Sequence, residues 1–163
     1  MTQGAEIECA ANGLTLASDN FDASIYSALA QSANLIDLRC TQSKFFVTKK
    51  YIGQLFEKIG PFERYFDYDI ENPSLIEEQG YLFGIVRWNA GLKDGRKNVA
   101  KFSCEYYVTY ANVNGFPPEY CYLYFQKLAR FSSFPYFRAY VGAQAAAAGI
   151  IIPPLPALRE RVD

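Results

Sequence analysis

Ser132-Ser133-Phe134-Pro135-Tyr136-Phe137-Arg138, then the alanine block 145–148, Gly149 and Ile150-Ile151-Ile152-Pro153-Pro154-Leu155-Pro156-Ala157-Leu158, is the stretch whose reading decides the fold. Its first half predicts a helix. The serine hydroxyls suit the orphan N–H groups of a helix start, proline fits the first turn, alanine is the best helix former, and glycine takes the left-handed exit conformation. Its second half cannot be helical, because Pro153, Pro154 and Pro156 remove donors and hold the chain extended. Yet that half carries three isoleucines and two leucines. So much extended apolar surface must either cover the protein's own core or line a place where another chain's apolar side chains are held.

Working upstream, Pro117-Pro118-Glu119 follows Asn114-Gly115 and opens an earlier helix that runs to about Arg130. Proline occupies its first turn and an acidic residue sits near the positive end of its dipole. Tyr120 to Phe125 make its first turns apolar nearly all round. A helix without a polar face is buried on both sides; in a chain this short, that expectation puts Tyr120, Tyr124 and Leu128 at a subunit interface.

Before these helices the hydrophobic period is two. Ala100, Phe102, Cys104, Tyr106, Val108 and Tyr110 alternate with Lys101, Ser103, Glu105, Tyr107 and Thr109. In the preceding run Leu82, Val86, Trp88, Ala90 and Leu92 share one face, and Asp94-Gly95 supplies the tight turn that joins the two strands as a hairpin. Phe62, Phe66, Tyr68 and Ile70 mark another strand, with Glu63, Tyr65, Asp67 and Asp69 on its solvated face. Ile36, Leu38 and Cys40 mark a first strand, but Phe45 and Val47 resume on the opposite parity, which predicts a bulge or bend. Residues 49–61 form a connection with a turn of helix, and a helix is expected from Asp22 or Ser24 to Ala33, with Ile25, Ala28 and Leu29 on one face. The order is an α+β chain: a four-stranded antiparallel sheet with two C-terminal helices on one face. Residues 1–33 are expected to be an N-terminal extension to a single domain over 34–163.

Composition excludes several function classes. With 16 basic and 17 acidic residues there is no field to attract nucleic acid or an anionic membrane. No window approaches the length of a membrane span, and Met1-Thr2-Gln3-Gly4-Ala5-Glu6 lacks the features of a signal peptide, so a cytoplasmic protein is expected. Cys9, Cys40, Cys104 and Cys121 are widely spread and histidine is absent, a poor zinc set, so reduced and mostly buried thiols and no metal or other cofactor are expected. Without histidine the usual general base is missing too. The alternation Glu63, Asp67, Asp69, Glu71 fits the solvated face of a strand better than a paired-carboxylate site, and Cys104 lies on an inward face where a thiol is inert. No enzyme is expected. The aromatic content, 17%, with 13 tyrosines and 13 phenylalanines, exceeds what one small core needs and suits a surface that binds apolar segments.

Ala100-Lys101-Phe102-Ser103-Cys104-Glu105, the short helix after it, Phe134-Pro135-Tyr136-Phe137-Arg138, and Gly149 leading into Pro153, Leu155 and Pro156 together resemble the SecB family of protein-export chaperones. Strand order and spacing agree with that family from about Leu35 to Leu158. The resemblance implies a homotetramer built as a dimer of dimers, and an ATP-independent holdase that binds unfolded polypeptide in long aromatic grooves. Phe56, Phe62, Phe66 and Tyr68 would form one wall and Ile151, Ile152, Leu155 and Leu158 the other. It also implies that the outward sheet face carries a partner-docking residue, here Glu105. The charge around Glu105 is mixed, with Lys101 and Arg87 nearby, and the chain ends at Asp163 without the polar tail of translocase-coupled members. Weak or no binding to the translocase motor is therefore expected, and a dedicated client instead of exported preproteins, such as an antitoxin, as in the family's toxin–antitoxin branch. An alternative from a different class is a single-chain antiparallel-sheet pocket for a small apolar ligand.

Overall fold

The structure, a computed structural model, describes residues 21–57 and 61–158 and is of the α+β class. Its elements are α1 (Ala23–Ser32), β1 (Asn34–Val47), a 3₁₀ turn (Lys49–Tyr51), α2 (Ile52–Glu57), β2 (Glu63–Ile70), β3 (Ser74–Ile76), a second 3₁₀ turn (Glu77–Gln79), β4 (Tyr81–Asp94), β5 (Lys97–Ala111) and α3 (Pro118–Ala147). The five strands form one antiparallel sheet in the order β1-β5-β4-β2, with β3 also paired to β4. The expected four strands are thus five. The short β3 escaped the sequence reading because three residues cannot display a period of two.

The inward sets of the central hairpin are as the alternation predicts. Leu82, Val86, Trp88, Ala90 and Leu92 of β4 and Ala100, Phe102, Cys104, Tyr106, Val108 and Tyr110 of β5 are all buried. Gly95, at φ 59°, makes the turn between them. The expected break in β1 is also present. Thr41 Oγ1 donates to the outward Glu105 Oε1 at 2.8 Å. Four residues on, Phe45 stacks on the inward Phe102 at 4.7 Å. Residues four apart share a face in a regular strand, so β1 bulges between Thr41 and Phe45 and its parity changes there.

The C-terminal helices also differ from expectation. The sequence predicted two, divided near Ser132-Ser133; the chain forms a single 30-residue helix with Pro135 inside it. Proline removes one rung of the backbone ladder and crowds the preceding turn, at a cost of about 3 kcal/mol in a helix interior. The two serines are not caps. Ser132 Oγ meets the Tyr110 hydroxyl at 2.7 Å and Ser133 Oγ accepts from Trp88 Nε1 at 2.8 Å, so both bind the sheet, and packing carries the helix through the proline.

The chain divides into two compact units, and β1, β4, β5 and α3 each contribute to both. In the first (described residues 21–39, 70–86 and 107–132), Phe125 of α3 presses on Gly84, where an added Cβ would lie 2.8 Å from its ring. The helix α1 belongs here as well. Asp22 caps it by accepting from Ser24 N, and Leu29 is fully buried. In the second unit (40–57, 61–69, 87–106 and 133–158) the largest buried side chains are Trp88, Phe102, Phe137, Leu55 and Leu92.

Candidate functional site

The site lies in the second unit and begins where α3 ends. Gly149 takes φ 66°, and two bonds close the helix over it: Ile150 N–H to Ala145 O and Gly149 N–H to Ala146 O, at 3.0 and 3.1 Å. This is a Schellman ending, with Ile150 buried as its apolar partner. The chain then leaves extended, and Ile151 N–H donates to Leu55 O at 3.0 Å, which ties the segment to α2. From there Ile152, Pro153, Pro154, Leu155 and Pro156 form one wall of a groove of about 380 Å³.

The opposite wall is Arg64, Tyr65 and Phe66 of β2 with Ala90, Gly91 and Leu92 of β4; Phe102 and Val141 complete the lining. Phe66 is held in place by stacking on Trp88 at 5.4 Å and by meeting Phe134 edge-on at 5.6 Å. The proline wall has few rotatable bonds and lacks donors at three positions, so it presents apolar surface already ordered, with little conformational entropy left to lose on binding. Tyr65 covers Gly91, where a Cβ would fall 2.8 Å from the tyrosine oxygen and 2.2 Å from Ala100 O. The Tyr65 hydroxyl is buried without a hydrogen-bond partner among the described residues, and burial pushes its pKa up to about 12. The Lys93 ammonium lies 4.4 Å from the centre of its ring.

Of the residues expected to bind peptide, Phe66, Ile152 and Leu155 converge on this groove. Phe56 packs by Gly149 and remains 50% exposed, and Ile151 is 47% exposed, so both offer apolar surface beside the segment that walls the groove. Phe62 turns to Tyr51, edge-on at 5.5 Å; Tyr68 lies 5.0 Å from Trp88; neither they nor Leu158 line the groove. Arg64, Tyr65, Ala90, Gly91, Leu92, Phe102 and Val141 line the groove without having been expected there. Arg64 was legible, because it shares the parity of Phe62 and Phe66.

Tyr120 and Tyr124 are buried within the first unit. Tyr120 stacks on Phe21 at 5.9 Å and its hydroxyl accepts from Asp22 N at 2.8 Å, while Tyr124 contacts Tyr26 and Tyr110. The apolar breadth of this part of α3 is therefore accounted for at these two positions by its own chain, and Leu128 is half-buried. Glu105 faces outward, accepting from Thr41 and from Arg87 Nε at 2.9 Å; those two hydrogen bonds and the guanidinium hold its carboxyl below the usual range. Cys104 and Cys121 are buried, as expected, but Cys40, on the edge strand, is exposed, and Cys9 lies outside the described residues. Among the described residues no cluster of metal-ligating side chains occurs and no helix is long and apolar enough to cross a membrane.

No family model and no curated protein matches the sequence. The fold does match a solved structure, the Mycobacterium tuberculosis Rv1957 SecB-like chaperone in complex with a ChAD peptide from the Rv1956 HigA1 antitoxin, with a TM-score of 0.65 and 15% identity over 85% of this chain and 99% of that one. The chain has a SecB-like fold.

Proposed function

We propose that this protein is an ATP-independent holdase that keeps a dedicated client polypeptide soluble by gripping an extended apolar segment of it. The observation that carries the reading is the groove of about 380 Å³ between a proline-stiffened segment and an aromatic strand edge. An extended segment laid there buries apolar area worth about 25 cal/mol per Å² without requiring a particular sequence. Several such subsites on one client, or in an oligomer, add by avidity. The likeness to a chaperone solved with an antitoxin peptide favours a client of that kind, made alongside the protein and prone to aggregate. Glu105 is engaged by Arg87 and Thr41, which leaves little free negative charge for an export motor to dock on. Assembly as a homotetramer in the cytoplasm belongs to the same reading.

Suppression of aggregation of a chemically denatured client tests it. Wild type is expected to suppress light scattering, and Leu155→Ser to lose most of that effect while remaining folded; no suppression by wild type overturns the reading. The groove volume also falls within the range of small-ligand pockets, at its lower end. A monomer in light scattering that binds a fatty acid but no unfolded chain would favour that second reading.

A further inference from the structure

Arg64 is, among the described residues, the only charged one lining the groove; the others are apolar side chains, Gly91 and Tyr65. Among the described residues Arg64 makes no ion pair, and its side chain is exposed on the parity of Phe62 and Phe66. A guanidinium at the rim of an apolar site tolerates an empty groove, because water solvates it. Once an apolar segment fills the groove, that water is displaced and the cation is left without a counter-charge unless the occupant brings one. A planar fork of donors suits a carboxylate in two parallel hydrogen bonds. A lysine in the same place would add like-charge repulsion to desolvation.

We infer that the groove selects client segments whose apolar side chains are flanked by a carboxylate, with Arg64 supplying the counter-charge. This rests on the holdase reading of the groove and adds to it the chemistry of the client: acidic-flanked apolar segments, not basic-flanked ones. The selection is electrostatic and near the surface, so it weakens as salt rises.

Fluorescence anisotropy with the full chain and three labelled peptides tests it. The peptides share one apolar core and carry Glu, Gln or Lys at both ends, so that either binding direction places the charge by Arg64. At low salt the Glu peptide is expected to bind about fivefold tighter than the Gln peptide, and the Lys peptide more weakly than both. Arg64→Gln should bring the three together, and Arg64→Glu should reverse the order. Leu155→Ser, by contrast, should weaken all three alike. Equal affinities for the three peptides on wild type, with Leu155→Ser still harmful, overturn the selection and leave the groove standing. If no peptide binds wild type at all, the groove reading fails and the selection with it.

Discussion

The indole N–H of Trp88 donates to the hydroxyl of Ser133 over 2.8 Å, and neither residue is exposed to solvent. This bond sits two residues before Pro135, so it holds α3 to the sheet where the helix's own ladder is interrupted. Ser133→Ala would leave a buried donor without that acceptor, and destabilisation by about 1–3 kcal/mol is expected. Trp88 is the only tryptophan in the chain, which makes its fluorescence a direct reporter of urea unfolding. An unchanged urea midpoint would show that the bond contributes nothing net.

Gly149 sets the direction in which the groove wall leaves the helix. At φ 66°, with the Phe56 ring 3.0 Å from where a Cβ would stand, it admits no side chain without strain. Gly149→Ala is expected to lower stability by about 1–2 kcal/mol and, by redirecting residues 150–156, to weaken client binding more than Leu155→Ser does. Thermal unfolding and the same aggregation assay check both halves of this expectation.

Thiol labelling should separate the described cysteines sharply. Burial pushes the Cys104 thiol up to about 12 and that of Cys121 up to about 11, so near neutral pH both stay protonated and unreactive, whereas Cys40 is exposed. Brief treatment of the native protein with iodoacetamide, followed by peptide mass mapping, is expected to modify Cys40 and spare the other two until denaturant is added. Equal labelling of Cys104 and Cys40 in native protein would contradict the packing of β5.

The Glu105 carboxylate, bonded by Thr41 and paired with Arg87, has its pKa lowered by folding. A group shifted this way stabilises the fold above its unfolded value and loses that contribution as pH falls through the lowered folded value. For a partly exposed pair the contribution is about 0.5 kcal/mol. Glu105→Gln should therefore unfold at lower urea than wild type at about pH 7, with the gap narrowing as acidification protonates the folded-state carboxylate. A gap that widens on acidification would reverse the sign and exclude the pairing as its source.

The central hairpin was readable because its face alternates without a break from Ala100 to Tyr110 and its turn carries Asp94-Gly95. The wall segment was readable because prolines permit little else. The division of α3 was misread for a physical reason: a Ser-Ser-Phe-Pro run satisfies every local rule for a helix start, and only the distant partners Tyr110 and Trp88 reveal that the hydroxyls serve the sheet. Likewise the apolar girth of α3 suggested a subunit interface, and nothing local in the sequence showed that Phe21 and Tyr26 of the same chain contact Tyr120 and Tyr124. In the groove, Phe66, Ile152 and Leu155 came from pattern; Val141 did not, since nothing local marks which side of a long helix meets an extended segment arriving after it.

The bulge between Thr41 and Phe45 breaks up the pairing edge of β1. Strand β1 is the outer strand of the sheet, 14 residues long, with Leu35, Ile36 and Phe46 exposed, which is the kind of edge on which other chains nucleate fibres. An incoming strand in register with one half of β1 falls out of register with the other, because donors, acceptors and side chains all step by one residue at the bulge. The edge of β1 therefore offers two short templates in place of one long one. The apolar residues exposed along β1 are thereby withheld from pairing with one continuous partner strand.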